Sequence, residues 1–333
     1  MTDSNPFAAL QQITSGYILS RCLHVIADLG VADVLDETPR TSAELAALVE
    51  AHPGNLGRVM SLLSAHGVFE LQGDRFCHSP ASRLLLNDHP QSMRAFVQMF
   101  GLPILWEAYG VLDHSLRSGQ PAMEKVAPGG WWGHFAENPQ EGDIFNAAMA
   151  NKSQAHVAGV IASYDFSDFG LVGDIGGGLG HLLQAVVVST LTTQGILFEL
   201  PHVIEKANGV SSERLHLQAG DFFSDALPVC NAYVLMEIIH DWSDKEATVI
   251  LEAVRRVAPP DAKLLLIETI IPNDPGPDWS KTLDIVMMAL LGGLQRTRQQ
   301  YEALLNRTGF VFQREIDTGA GISIIEAVPL SQA

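Results

Sequence analysis

The chain has 333 residues, 47% of them hydrophobic and 17% charged, and a formal net charge of −18. Such a length suggests two domains with cores of their own, and the composition excludes a disordered chain. The acidity argues against nucleic acid or an anionic membrane surface as partner.

Residues 7 to 37 open with helical periodicity, in which Ile18, Leu19, Cys22, Leu23, Ile26, Ala27 and Leu29 recur at three-to-four spacing until Gly30 ends the helix. Thr41-Ser42-Ala43-Glu44 has the pattern of a capping box and predicts a helix over Leu45 to Ala51. A third helix is predicted from about Asn55 to Ala65, with Gly67 as its left-handed stop. Val68 to Leu71 and Arg75 to Cys77 then alternate about Gln72-Gly73-Asp74, which reads as a hairpin. Three helices followed by a hairpin form the winged-helix arrangement. DNA binding, its common use, is disfavoured because residues 1–90 hold five arginines, no lysine and ten acidic residues. The apolar segment Ile18 to Leu29 is better explained as a contact for a second copy of the chain.

Residues 91 to about 165 read as helical and are rich in Phe, Trp, Tyr and Met, among them Phe96, Trp106, Trp131, Phe145 and Met149. Most are expected in the core, with a few lining a pocket for an aromatic molecule. From Leu171 onward strands alternate with helices. The strands are predicted at Leu171–Ile175, Ile196–Leu200, Arg214–Gln218, Ala232–Met236 and Leu264–Glu268, which implies a parallel sheet covered on both faces. Phe310–Ile316 and Ile322–Val328 are joined too closely for a parallel crossover, so they are expected to pair antiparallel. The run Ile285 to Leu294 is shorter than the roughly 20 residues a bilayer-spanning helix needs. Met1 to Pro6 lack a basic cluster leading into an apolar signal core. Cys22, Cys77 and Cys230 lie far apart, as expected of reduced thiols in a cytoplasmic protein.

The most informative stretch is Leu171-Val172-Gly173-Asp174-Ile175-Gly176-Gly177-Gly178-Leu179-Gly180. An apolar run ends on an acid and enters a glycine turn at the start of a helical pattern, as a parallel strand delivers a cofactor-binding turn. The spacing is not Gly-x-Gly-x-x-Gly, because His181 or Leu183 falls where that pattern needs glycine. Ligands in open parallel sheets bind beyond the carboxyl ends of the strands. The successive strand ends carry Asp174, then Glu199 nineteen residues after Gly180, then Asp221-Phe222, then His240-Asp241-Trp242, then Glu268. Acids at adjoining tips suit the ribose and adenine of a nucleoside cofactor. No His-x-x-x-His or clustered Cys/His marks a metal site.

Asp-Ile-Gly-Gly-Gly-Leu-Gly, Phe-Glu-Leu-Pro-His-Val, Gly-Asp-Phe-Phe, Ile-Ile-His-Asp-Trp-Ser-Asp and Ile-Glu-Thr-Ile-Ile-Pro follow one another here. In this order they resemble S-adenosylmethionine-dependent O-methyltransferases of the caffeic acid, acetylserotonin and bacterial phenazine type, over nearly the whole chain. The resemblance implies an α/β fold: a class I methyltransferase, Rossmann-like doubly wound sheet with an antiparallel last strand, plus an N-terminal winged-helix dimerisation domain. The implied division is residues 1–90 for dimerisation, 91–165 as a helical connector contributing to the substrate pocket, and 166–333 for the cofactor-binding catalytic domain. It implies a homodimer, S-adenosylmethionine as cofactor without metal, and a small hydroxylated metabolite of secondary metabolism as acceptor.

By the same resemblance Asp174, Gly176 and Gly178 form the cofactor turn, Glu199 binds the ribose hydroxyls, and Asp221 and Phe222 hold adenine; Leu200 and Ser153 are further cofactor contacts. His240 is the general base, Glu268 accepts from its other ring nitrogen, and Phe145, Met149, Asp241 and Met287 are expected at the acceptor. Gln295 stands where the family has a second histidine-flanking carboxylate, and Met236 where plant members have a cofactor-contacting lysine. Two other readings compete: a methyltransferase-fold enzyme performing hydroxylation, decarboxylation or a pericyclic step, against which His240 argues, and a non-catalytic regulator, against which the acidity of residues 1–90 argues.

Overall fold

The computed structural model describes residues 5–331, so Met1 to Ser4, part of the opening segment read above, lie outside the described residues. The chain forms two compact units, one of Met1–Glu107 and His134–Lys152, the other of Ala108–Gly133 and Ser153–Ala333.

In the first unit the long helix Pro6–Asp28 starts from an Asn5 cap, with proline at the first helical position where a missing N–H costs nothing. Gly30 takes φ +65 after it. The Thr41–Glu44 capping box is present, and the helix it opens is Ser42–Leu48, beginning directly after its cap; Glu50 follows in the left-handed region at φ +53. The next helix, Pro53–Ala65, starts two residues earlier than expected because Pro53 serves as its first residue. Strands β1 (Arg40–Thr41), β2 (Phe69–Gln72) and β3 (Arg75–His78) pair antiparallel in the order β1-β3-β2. Ile26, Leu35, Leu45, Met60, Leu63, Phe69 and Phe76 fill the core. The first helix divides the apolar segment expected as a contact. Ile26 and Ala27 are buried in this unit's own core, whereas Ile18, Val25 and Leu29 are exposed and continue an apolar row that begins N-terminally with Phe7 73% and Ile13 76% exposed and Leu10 and Tyr17 beside them.

The second unit holds a seven-stranded sheet of β4 (Leu171–Ile175), β5 (Gln194–Glu199), β6 (Leu215–Ala219), β7 (Ala232–Met236), β8 (Lys263–Glu268), β11 (Phe310–Asp317) and β12 (Ser323–Pro329). The pairs β9 (Ile270–Ile271) and β10 (Arg296–Thr297) form a separate parallel bridge. The sheet order is β11-β12-β8-β7-β4-β5-β6. The five strands from β4 to β8 are mutually parallel, and β12 pairs antiparallel with both β8 and β11. Chain order runs outward from β4 to β6 on one side and from β7 to β8 on the other, so the order reverses between β4 and β7. Ile250, Leu251, Val254, Tyr301 and Leu305 cover one face and Val160, Phe166, Leu182 and Val186 the other, which explains the almost unbroken apolar runs of β7 and β8. This is the doubly wound α/β sheet with an antiparallel last strand expected from the motifs. No helix among the described residues is long and apolar enough to cross a membrane.

Candidate active site

The crevice at the β4/β7 reversal is where an open sheet receives a ligand. Its floor is the β4 turn. The Gly176 N–H donates to the Phe198 carbonyl at 2.8 Å, with Gly176 at φ +74. A Cβ on Gly176 would lie 2.9 Å from Ile238 Cδ1, and one on Gly177 2.2 Å from Asp174 Oδ2. Both positions therefore exclude a side chain. Asp174 is 1% exposed, and neither carboxylate oxygen has a hydrogen-bond partner among the described residues. Burial, and secondarily the Glu199 charge, push its pKa up to about 7; the Leu183 N–H offsets a little without reaching hydrogen-bonding geometry. A buried, unsatisfied acid next to a side-chain-free turn fits a ligand bringing its own donors or positive charge.

The adjoining tips extend the same edge. Glu199 ends β5 and accepts from the Leu200 N–H, and burial holds its carboxyl above the usual range. Leu200 is exposed. Asp221 follows β6; its Oδ1 accepts from the Phe223 N–H at 2.8 Å, which orients the carboxylate. Phe222, Phe223 and Trp242 meet edge to face, with centroids 4.8–6.0 Å apart. Ser153 is half-buried on the helix Pro139–Ser163.

Asp174 carries a consequence for stability. Its folded-state pKa lies above the unfolded value, so the fold keeps a proton that the unfolded chain releases, and stability falls as pH rises from about 4 to about 7. Asp174→Asn removes that loss, and thermal unfolding of the cofactor-free protein should show the variant more stable than wild type at pH 8, by on the order of 4 kcal/mol at most, and equal to it near pH 4. An equal difference at both pH values contradicts the assignment.

His240 lies on the short 3-10 turn Ile239–Asp241 after β7 and is 5% exposed. Its Nδ1 is 2.7 Å from Gln295 Nε2 and 3.5 Å from Glu268 Oε2, and its Nε2 is 3.3 Å from Asp241 Oδ1. Here the geometry differs from the expectation that Glu268 is the ring's acceptor. Glu268 Oε1 instead accepts from the Ile239 and His240 N–H groups at 2.8 and 3.3 Å, and Gln295 is the nearer neighbour of the ring. Glu268 is fully buried, and burial followed by the Glu237 and Asp241 charges holds its carboxyl well above the usual range. Gln295 is itself anchored by its N–H donating to Asp284 Oδ1 at 2.9 Å.

Met287 is buried on the helix Trp279–Leu290. Phe145 and Met149 belong to the other compact unit, where the Phe145 ring stacks on Phe135 at 5.0 Å. Three features escaped the sequence reading. Arg296 is buried beneath the His240 turn, donating to the Ile239 and Trp242 carbonyls. Glu237 occupies the left-handed region at φ +55 and faces His156 Nδ1 at 3.3 Å. Gly293 abuts the turn so closely that a Cβ would lie 2.1 Å from the His240 carbonyl oxygen. Among the described residues no group of three or more His, Cys, Asp or Glu is arranged to hold a metal.

Comparison with known proteins identifies the family. Residues 109–311 match the model of the O-methyltransferase domain and residues 11–88 that of the O-methyltransferase dimerisation domain. The chain thus belongs to the O-methyltransferase family and is an S-adenosylmethionine-dependent methyltransferase. It is 34% identical to a phenazine O-methyltransferase of Lysobacter antibioticus, over 99% of this chain and 100% of the relative. It is 35% identical to an 8-amino-8-demethylriboflavin N,N-dimethyltransferase of Streptomyces davaonensis, over 86% of this chain and 85% of the relative. The crystal structure of a methyltransferase of calicheamicin biosynthesis in its S-adenosylhomocysteine-bound form superposes with a TM-score of 0.89 at 28% identity, covering 98% of this chain and 100% of that one.

Proposed function

We propose that this enzyme methylates a hydroxyl group on a small aromatic or conjugated metabolite, with His240 as general base. The observation that carries the reading is the buried imidazole at the β7 tip, held through Nδ1 beside Gln295 and Glu268, on the crevice edge that bears the unsatisfied Asp174 carboxylate. When bound, S-adenosylmethionine supplies an electrophilic methyl group and departs as a neutral thioether, so no residue has to protonate the leaving group. His240 Nε2 takes the hydroxyl proton as the oxygen lone pair forms the bond to carbon. For that step Nδ1 must carry a hydrogen, and the Gln295 amide meets it through Oε1, its two ends being interchangeable by a half-turn. Glu268 balances the resulting imidazolium at 3.5 Å. Asp174, Glu199, Asp221 and Phe222 hold the cofactor, with Gly176 and Gly178 opening the turn and Leu200 and Ser153 beside it; Asp241 and Met287 face the acceptor.

The similar phenazine O-methyltransferase and 8-amino-8-demethylriboflavin N,N-dimethyltransferase support an aromatic acceptor, the second of them an amine. Release of S-adenosylhomocysteine with a panel of hydroxylated phenazines, naphthoates and simple phenols, run beside the corresponding arylamines, tests the reading. Turnover with a hydroxylated member is expected. Turnover with amines alone, or tight cofactor binding with no methylated product, contradicts it.

The matched dimerisation domain and the exposed row Phe7, Leu10, Ile13 and Tyr17 support a homodimer built on the first helix. Ile13→Glu should convert a sedimenting dimer to monomer at micromolar concentration without lowering the melting temperature of the isolated fold; a wild-type monomer refutes the dimer. The unpaired Cys22, Cys77 and Cys230 support a reducing, cytoplasmic setting.

A further inference from the structure

We propose that Arg296 is the positioning residue of the catalytic turn: its guanidinium, clamped between backbone carbonyls on either side of His240, determines where the imidazole stands. Arg296 is 1% exposed and among the largest fully buried side chains. Its Nη1 donates to the Ile239 and Leu294 carbonyls at 2.9 and 3.4 Å, its Nη2 to the Trp242 carbonyl at 2.9 Å, and its Nε to Asp244 Oδ1 at 3.0 Å, which Nη2 also reaches at 2.9 Å. Five contacts use the five N–H donors a guanidinium possesses. Residues 239 and 242 bracket His240 and Asp241, so one rigid plane spans the whole turn. The neighbouring side chain in sequence is Gln295, which touches the ring itself. One two-residue segment therefore fixes both the backbone that carries His240 and the atom facing its Nδ1. β10 anchors that segment in turn, pairing Arg296 with Ile270 and Thr297 with Ile271. The clamp has no slack on its far side, because Gly293 lies against the His240 carbonyl oxygen and the Leu294 N–H donates to that oxygen at 2.9 Å. Lysine, a point charge with three donors, cannot reproduce this span.

The cation has a second effect in the same place. Glu237 and Asp241 from the β7 loop, Asp244 at the following helix and Asp284 behind Gln295, together with the buried carboxyl of Glu268 from β8, place acidic groups around the imidazole and its support. Arg296 is the buried positive charge among these groups. Removing it makes imidazolium easier to form, so the acid limb of the pH–rate profile moves to higher pH.

The inference rests on the reading of His240 as general base, and a mutant cycle separates the two. Arg296→Lys is expected to lower kcat about 100-fold, the scale on which small misplacements of reacting groups act, and to leave the dissociation constant of S-adenosylmethionine within about twofold, while Arg296→Ala, which also removes the charge, is expected in addition to raise the acid limb. In the His240→Ala background Arg296→Lys should cause no further loss, because its effect passes through the ring. Added methylguanidinium should partly restore kcat to Arg296→Ala. Should the arginine variants fail to fold, Asp244→Ala, at a side chain 60% exposed, loosens the same clamp and should lower kcat severalfold at unchanged cofactor affinity. Full additivity of Arg296→Lys with His240→Ala, wild-type kcat in Arg296→Lys, or wild-type kcat in Asp244→Ala overturns the positioning role. An active His240→Ala enzyme instead overturns the reading beneath it.

Discussion

His240→Ala is expected to lower kcat by roughly 10²–10⁴-fold, the usual contribution of a positioned general base, while the dissociation constant of S-adenosylmethionine stays near that of wild type. The imidazole touches Gln295, Glu268 and Asp241, none of which forms the glycine turn, so truncation removes a proton acceptor without disturbing Asp174 or Glu199. His240→Gln makes a useful companion, since it retains volume and a hydrogen-bonding end but cannot accept a proton at neutral pH. Both should be equally impaired. Gln295→Glu completes the series: a carboxylate at 2.7 Å from Nδ1 in place of the amide stabilises imidazolium, and the acid limb of the pH–rate profile should rise. Isothermal titration with the cofactor alone, beside steady-state release of S-adenosylhomocysteine, separates binding from chemistry in each variant.

The second large effect belongs to the cofactor turn. Gly177→Ala places a methyl 2.2 Å from Asp174 Oδ2 and 2.6 Å from Oδ1, and Asp174 is buried. The acid must leave its place. Hydrogen bonds to charged groups contribute about 1.5–3 kcal/mol each, so the dissociation constant of S-adenosylmethionine should increase by roughly 10–100-fold for one such bond lost. Overpacking of this kind also costs about 1–3 kcal/mol of stability, which a melting curve reads independently. Unchanged affinity in a folded Gly177→Ala protein means that the Asp174 carboxylate does not serve the cofactor.

The strands were legible because both faces of the sheet are buried. Ala232 to Met236 and Leu264 to Glu268 are almost continuously apolar, and the observed β7 and β8 differ from those ranges by a single residue. The capping box at Thr41 was legible because its side-chain cap is written locally, but the helix it opens begins three residues earlier than the expected Leu45, and the next helix begins two residues earlier than expected, at Pro53, where the signal is a missing N–H. The two-residue β1 carries no periodic pattern at all, and only its pairing with Arg75 and Phe76 makes it a strand. Along the first helix, Ile18 to Leu29 and Phe7 to Tyr17 are both apolar, and hydropathy alone could not tell Ile26 and Ala27, which enter the unit's own core, from Ile18, Val25, Leu29 and the N-terminal residues, which face outward.

The site divides in the same way. Asp174, Glu199, Asp221, His240 and Glu268 could be found because the parallel-sheet rule turns strand ends into a list of crevice residues. Arg296 could not. An arginine after Gly292-Gly293-Leu294-Gln295 reads as a solvated loop charge, and its role depends on carbonyls more than fifty residues earlier in the chain. The same holds for the Gln295–His240 contact, and for Glu268, whose nearest commitments are backbone N–H groups that no side-chain pattern displays.

The central claim is that His240 removes a proton from the acceptor oxygen, and it can be measured with two acceptors matched in shape but differing in hydroxyl acidity, one ionised at the assay pH and one not. The ratio of wild-type to His240→Ala rates under single turnover should be large for the un-ionised acceptor and collapse toward one for the acceptor that arrives as an oxyanion. A ratio that is the same for both acceptors contradicts proton removal by His240.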